Sequence, residues 1–238
     1  MFGLILALLL PMLNNPLFEN ILIHIKGAGD LGSGVAYRLK RAGFPLIMTE
    51  LPTPLFVRRA VCYGEAIYQG QVEVDGLRAR RVTTPAEAKA MALTDTIPVL
   101  VDQPAGTRLD LQPQVVVDAI MAKINTGTRI SDAALVIALG PGFTAGADCH
   151  AVIETNRGHW LGRVITSGTA EANTGSPGPV QGHTASRVLR SPAAGHVHAT
   201  VHIGDPVNEG QLIATINGSQ LRAPFDGVLR GIAVSYTH

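Results

Sequence analysis

The stretch ILIHIKGAGDLGSGVAYRLKRAG, Ile21–Gly43, decides how this chain folds. Its first part, Ile21–Lys26, reads as a short apolar run without alternation, the pattern of a strand covered on both faces. Gly27, Gly29 and Gly32 then spell G-x-G-x-x-G at the mouth of a helix. In such a loop the first glycine permits a tight turn and the second lets a pyrophosphate reach the backbone. The third lets helix and strand pack closely. The helix N-terminus adds N–H groups and a partial positive charge that favour phosphate. Leu31, Val35 and Leu39, with Ala36 and Ala42 beside them, form the expected buried stripe, and Gly43 is placed to end the helix. Asp30, inside the loop, would either repel phosphate or cap the helix, and the cap is the expected role.

Working outward, Phe44–Glu50 (FPLIMTE) reads as the next strand and ends on an acidic residue. An acid about 20 residues beyond the glycines suits a ribose 2′-OH, which favours NAD; Arg58 and Arg59 follow closely and leave NADP open. Gln71–Val82 turns around Asp75-Gly76, a hairpin signal. Thr84, Pro85 and Glu87 form a capping box that opens a helix. Ile97–Asp102, Gln114–Ala119 and Ala133–Phe143 read as further buried strands. Strands interleaved with helices predict an α/β fold: a Rossmann-like, mostly parallel sheet with helices on both faces and right-handed crossovers. Gly140 and Gly142 make a second glycine turn at a strand's end, where it would face the first, because ligands of such sheets sit at the carboxyl ends of strands. The candidate cofactor-binding set is therefore Gly27, Gly29, Asp30, Gly32, Glu50, Arg58, Gly140 and Gly142.

After Phe143 the chain becomes rich in Gly, Asn, Thr and His. Asp148, His150, Glu154 and His159 have the chemistry of weak metal-ligand candidates, against the reading that they cap turns and solvate loops. Arg157 suits a phosphate or carboxylate clamp. Cys149 beside His150 raises the question of an activated nucleophile, although neighbours on a strand point to opposite faces. Near the carboxyl end, His196, His198 and His202 are expected on one strand face, which is more often solvated than metal-binding.

The 238 residues carry a net charge of +1, with no basic run, so nucleic acid is not expected as a partner. Two separated cysteines, Cys62 and Cys149, make neither a disulfide framework nor a cysteine zinc site, which fits a reducing cytoplasm. The apolar start MFGLILALLLPML falls short of the roughly 20 residues that span a bilayer. It also lacks a basic n-region and a cleavage site, and Pro11 interrupts it, so a packed or mispredicted extension is expected, not export or a membrane anchor.

The expected organisation is an apolar extension over 1–18 and a Rossmann-like nucleotide-binding domain over 19–145. A segment over 146–189 completes or links that domain, and a small β domain covers 190–238. Ser191–Ile216 and Leu221–Val234 resemble the barrel-sandwich module of biotinyl and lipoyl carrier domains. The hairpin at Asn217-Gly218 has no lysine for a swinging arm, and the segment is shorter than a full module, as in a truncated one.

IKGAGDLGSGVAYRLKRAGF, MTELPTPLFVRR, VIALGPGF, ETNRGH, NTGSPG and RVLRSP together resemble a bacterial accessory-protein family. It is the family encoded with selenium-dependent molybdenum hydroxylases, distantly similar to xanthine dehydrogenase accessory factors. The resemblance implies a role in maturing such a hydroxylase, with the apo-enzyme or its cofactor machinery as partner, and transfers no catalytic residue. The cofactor implied is a dinucleotide, either the molybdopterin dinucleotide or NAD(P). An NAD(P)-dependent oxidoreductase acting in cofactor modification is the alternative, and self-association is left open.

Overall fold

The computed structural model describes residues 18–101 and 110–236. The apolar start, and Asp102 at the end of the expected Ile97–Asp102 strand, lie outside the described residues. Two compact units are present: residues 18–54, 61–101 and 110–173 form the first, and residues 55–60 and 174–236 the second. No described helix is long and apolar enough to cross a membrane.

The first unit is a mixed α/β structure. Its elements are β1 (Ile23–Lys26), α1 (Asp30–Arg41), β2 (Leu46–Glu50), α2 (Ala66–Gln69), β3 (Gln71–Val74), β4 (Leu77–Val82) and α3 (Pro85–Ala92). They continue with β5 (Ile97–Val101), β6 (Val115–Asp118), β7 (Leu135–Leu139), β8 (Thr144–Ala145), β9 (Ala151–Ile153), β10 (Val164–Ile165) and β11 (Gly168–Thr169). One sheet runs in the order β10-β9-β7-β6-β1-β2-β5-β4-β3. It is parallel except for the antiparallel β10–β9 and β3–β4 pairs at its two ends. β8 and β11 form a separate antiparallel ribbon.

Strand alternation sorts side chains onto two faces. Ile23, Ile25, Leu46, Met48, Ile97 and Val99 pack with Ala36 of α1 and Ala66 and Ile67 of α2. On the other face Ile47 and Leu100 pack with Ala88, Met91 and Ala92 of α3, and Val116, Val136, Ala138 and Val152 form a second apolar cluster. β1 does alternate, contrary to the expected uniform run: Ile23 and Ile25 face α1, while His24 and Lys26 take the opposite side in register with Val116 and Asp118. Burial of both faces is compatible with polar residues here because they bond one another; His24 Nε2 shares a 2.9 Å hydrogen bond with Thr49 Oγ1.

Helix α1 buries Gly32, Ser33 and Ala36, whereas Leu31, expected in its buried stripe, is exposed. The cause is close approach. A Cβ on Gly32 would lie 2.3 Å from the Gly27 carbonyl oxygen, so the helix meets the strand through its smallest residues. Gly43 (φ +90°) ends the helix as expected, with Gly43 N–H bonding Lys40 O at 3.0 Å and Phe44 N–H bonding Leu39 O at 3.1 Å. Thr84 caps α3 by accepting from Glu87 N–H at 3.2 Å. The returning Glu87 carboxylate takes the N–H of Thr83, not of Thr84, which shifts the capping box by one residue. Asp75 (φ 49°) and Gly76 (φ 74°) make the hairpin turn of β3–β4. The interleaving of strands with helices stops after β6. Among the described residues, the β6–β7 crossover holds only a 3-10 turn at Ile130–Asp132, because Met121 and Lys123 adopt left-handed backbone and Asn125 folds onto the Gly127 and Thr128 N–H groups.

In the second unit β12 (Gly195–Ala199), β13 (Pro206–Val207), β14 (Leu212–Ile216), β15 (Ser219–Arg222), β16 (Gly227–Val228) and β17 (Ser235–Tyr236) make two antiparallel sheets, β15-β14-β12-β17 and β13-β16. Val207, Ile213, Ala214, Ile216 and Ala223 are its core. Asn217 (φ 48°) and Gly218 (φ 81°) turn the β14–β15 hairpin. His196 and His198 lie exposed on β12, but the strand ends at Ala199. His202 falls in the following turn, beside Asp205 at 3.5 Å, so the three-histidine face does not form.

The glycine packing separates two substitutions in one helix. Gly32→Ala is expected to cost about 2–3 kcal/mol in urea denaturation, because its methyl group meets backbone. Gly34→Ala, whose methyl group would have no atom within 4 Å, is expected to add about 0.5–1 kcal/mol. Equal effects at the two positions would contradict the packing described.

Candidate functional site

The chain leaves β1 toward β2 on one side and later returns as β6 on the other. Open parallel sheets bind ligands at such a switch point, beyond the carboxyl ends of the strands. The glycine loop stands there. Gly27 has φ +89°, and a Cβ on it would lie 2.9 Å from both Ala119 O and Ile120 Cα, so only glycine fits between the ends of β1 and β6. Gly29 is the N-cap of α1 with φ −68° and ψ −173°, a conformation open to any residue. The first helical bond is Ser33 N–H to Gly29 O at 2.8 Å, so the N–H groups of Asp30, Leu31 and Gly32 precede the helical ladder. Asp30 is the first helical residue and not the expected cap; Gly29 holds that position, with no side-chain capping bond.

Glu50 ends β2 and holds the loop directly. Its Oε2 accepts from Ala28 N–H and its Oε1 from Leu51 N–H, each at 2.8 Å. The Ala28 carbonyl accepts from Gly64 N–H at 2.9 Å and from the Ser33 hydroxyl at 3.2 Å, and the same hydroxyl accepts from Tyr63 N–H at 2.8 Å. A residue expected to meet the ligand thus also braces the loop that would carry it.

The second glycine turn reaches the first through the segment after β6. A Cβ on Gly142 (φ +106°) would lie 2.8 Å from the backbone of Lys123 and Ile124, and one on Gly140 (φ +73°) 2.5 Å from Thr155 Oγ1. Residues 119–124 therefore lie between the two glycine turns. Leu31, Leu51, Ile120 and Ile124 leave apolar side chains exposed on segments that leave the carboxyl ends of β1, β2 and β6. Arg58 belongs to the second unit, unlike the rest of the cofactor-binding set.

Three residues of this edge had no part in the expected set. Lys26 ends β1 and pairs in register with Asp118, which ends β6. The Lys26 ammonium donates to Thr128 Oγ1 and stands 3.5 Å from Asp118 Oδ2. The Thr128 hydroxyl donates to Asp118 Oδ2 at 2.5 Å, and Ile120 N–H to Oδ1 at 3.2 Å. Asp118 is only 1% exposed. The available signal was that two apolar strands, IHIK and VVVD, each end on a charge.

The weak metal candidates are dispersed. Asp148 Oδ2 accepts from Thr144 N–H at 2.8 Å, and His150 Nδ1 from Val136 N–H at 2.9 Å. His159 stands edge-on to Trp160, 4.7 Å between ring centres. Glu154 accepts from Asn156 N–H at 2.7 Å and from Glu171 N–H at 2.8 Å. Among the described residues, no group of three or more His, Cys, Asp or Glu side chains is placed to hold a metal ion. Cys149 is fully buried, and burial first, then the Asp148 charge, pushes its thiol pKa up, the reverse of an activated nucleophile. Arg157 lies exposed on the loop after Glu154.

No protein-family model matches the chain, and no solved structure matches it. The chain is similar to the "Uncharacterized protein YqeB" of Escherichia coli (strain K12), with 53% identity over 212 residues. The match covers 89% of this chain and 39% of the relative's length.

Glu154 supplies a test by pH. Burial alone would raise its pKa, but the N–H groups of Glu171, Asn156 and Thr155 outweigh it and hold the carboxyl below its ordinary 4.5. A lowered folded-state pKa gives stability that is complete above the ordinary value and is lost as pH falls through the folded one. Glu154→Gln is therefore expected to lose about 2 kcal/mol in denaturation at pH 7, and the gap to wild type should close below pH 4.5. A gap that is constant with pH would contradict this role.

Proposed function

We propose that this chain is a dinucleotide-binding accessory protein in the maturation of a selenium-dependent molybdenum hydroxylase, acting in the cytoplasm. The binding half rests on one observation: Gly27 and Gly32 are both required by packing, whereas Gly29 adopts a backbone that any residue could take. A glycine that its own backbone does not demand, at a helix N-terminus on a switch point, suits a pyrophosphate lying against it. Exposed Leu31, Leu51 and Ile120 around the loop offer apolar contact to a base. In this reading the first unit is Rossmann-like, and the ligand is the molybdopterin dinucleotide or NAD(P), both of which carry a pyrophosphate.

The maturation half rests on the sequence resemblance, and the chain spans about two fifths of the relative it matches. The second unit is read as a biotinyl/lipoyl-like barrel sandwich without carrier function, since it contains no lysine. It would then serve as a docking module for the apo-hydroxylase or its cofactor machinery.

Native mass spectrometry of gently purified protein from a molybdenum- and selenium-fed host should retain a non-covalent adduct of pterin-dinucleotide mass. An NAD(H) adduct would favour the oxidoreductase alternative. Gly29→Asp is expected to abolish the adduct while leaving Tm unchanged or slightly raised, because Asp is a good N-cap and its charge repels phosphate. A variant that still carries the adduct, or a wild type that binds no nucleotide on titration, would overturn the proposal.

A further inference from the structure

The buried Lys26–Asp118 pair is not explained by stability. Withdrawing two charges from water is costly, and apolar replacements of such pairs are often neutral or stabilising. β1 carries this pair on the face where its neighbours supply two apolar clusters. The surrounding backbone is also constrained. Met121 (φ 61°) and Lys123 (φ 67°) are left-handed without being glycine, a strained backbone that the surroundings must hold. Asn125 holds Thr128 in place, accepting from its N–H and donating to its carbonyl, both at 2.8 Å.

The pair is polarised with respect to solvent. Asp118 is 1% exposed, with Oδ1 held by Ile120 N–H and Oδ2 by Thr128 and Lys26, while the Lys26 side chain is 15% exposed. The negative end is sealed and the N–H donors are at the accessible end. Lys26 immediately precedes Gly27, and its carbonyl accepts from Ala119 N–H at 2.8 Å, so it sits where the ends of β1 and β6 meet. A dinucleotide whose pyrophosphate lies on the glycine loop extends its second half over the strand across the switch point, here β6.

We infer that Lys26 contacts the second half of the bound dinucleotide, giving an N–H to an acceptor oxygen there, carbonyl or phosphoryl. Asp118 and Thr128 are its positioning residues: they neutralise the ammonium and fix its direction. The inference rests on the glycine-loop reading above.

Isothermal titration with ADP, ADP-ribose and NAD⁺ tests it. ADP reaches only the loop and should bind wild type and Lys26→Met within twofold of each other. NAD⁺ should bind Lys26→Met about tenfold more weakly. The double variant Lys26→Met/Asp118→Asn, which leaves no unpaired buried charge, should show the same selective loss if the single variant folds poorly. Thr128→Ser should retain wild-type NAD⁺ affinity and Thr128→Val should lose it. A loss shared by ADP-ribose places the contact on the ribose-phosphate, and a loss confined to NAD⁺ places it on the carboxamide carbonyl. Equal losses for ADP and NAD⁺, or no loss for either, would overturn the role of Lys26 while leaving the loop reading intact. Wild type that binds ADP but not NAD⁺ would overturn that role as well. A wild type that binds none of the three ends the NAD(P) reading of the loop and the role of Lys26 with it.

Discussion

The contact between Gly32 and the carbonyl of Gly27 is the constraint on which the first unit depends. It holds the start of α1 so close to the end of β1 that no side chain fits at that position. With the helix drawn in, Ala36 closes onto the sheet, and the core of Ile23, Ile25, Leu46 and Met48 can be dry. Leu31 is turned outward by the same geometry. Glu50 and Ser33 then fix Ala28 from either side, so the loop's shape is set by the protein's own hydrogen bonds.

The opposite face of β1 follows a different logic. His24 and Thr49 share a hydrogen bond in the interior, and Lys26 and Asp118 form a charge pair beyond them. This polar seam runs between two apolar clusters that would otherwise merge across the central strand. A packed interior tolerates it because the partners lie on the strands flanking β1, Asp118 in register with Lys26 and Thr49 two residues along from the register partner of His24, so the polar atoms meet without loss of sheet pairing. The seam ends at the carboxyl edge, where the two glycine turns and the left-handed residues 121 and 123 also gather.

Much of the fold was legible because its signals are local. G-x-G-x-x-G, the turn at Asp75-Gly76, the cap at Thr84 and the stop at Gly43 each depend on backbone geometry within a few residues. The parts that misled depend on distant partners. Leu31 fits an amphipathic stripe, yet close packing at Gly32 rotates the helix away from it. Asp30 has a capping residue's chemistry, but Gly29 is where the backbone leaves helical geometry. Asp148, His150, Glu154 and His159 look clustered in sequence, while the turns around them direct the first three to separate backbone N–H groups and set His159 against Trp160. Lys26 and Asp118 lie far apart in the chain and become neighbours only through strand register.

By itself, then, the sequence determined the main strands of the first unit, the two tight turns and the end of α1 at Gly43. These follow from glycine's freedom at positive φ, from capping chemistry and from hydrophobic runs, all of which act over one or two turns of chain. Tertiary structure alone decided which face of α1 is buried, that Glu50 braces the loop, and that a lysine and an aspartate from two separate strands share one buried network. Those outcomes are set by packing and by the parallel register of β1 and β6, which no short stretch of sequence encodes.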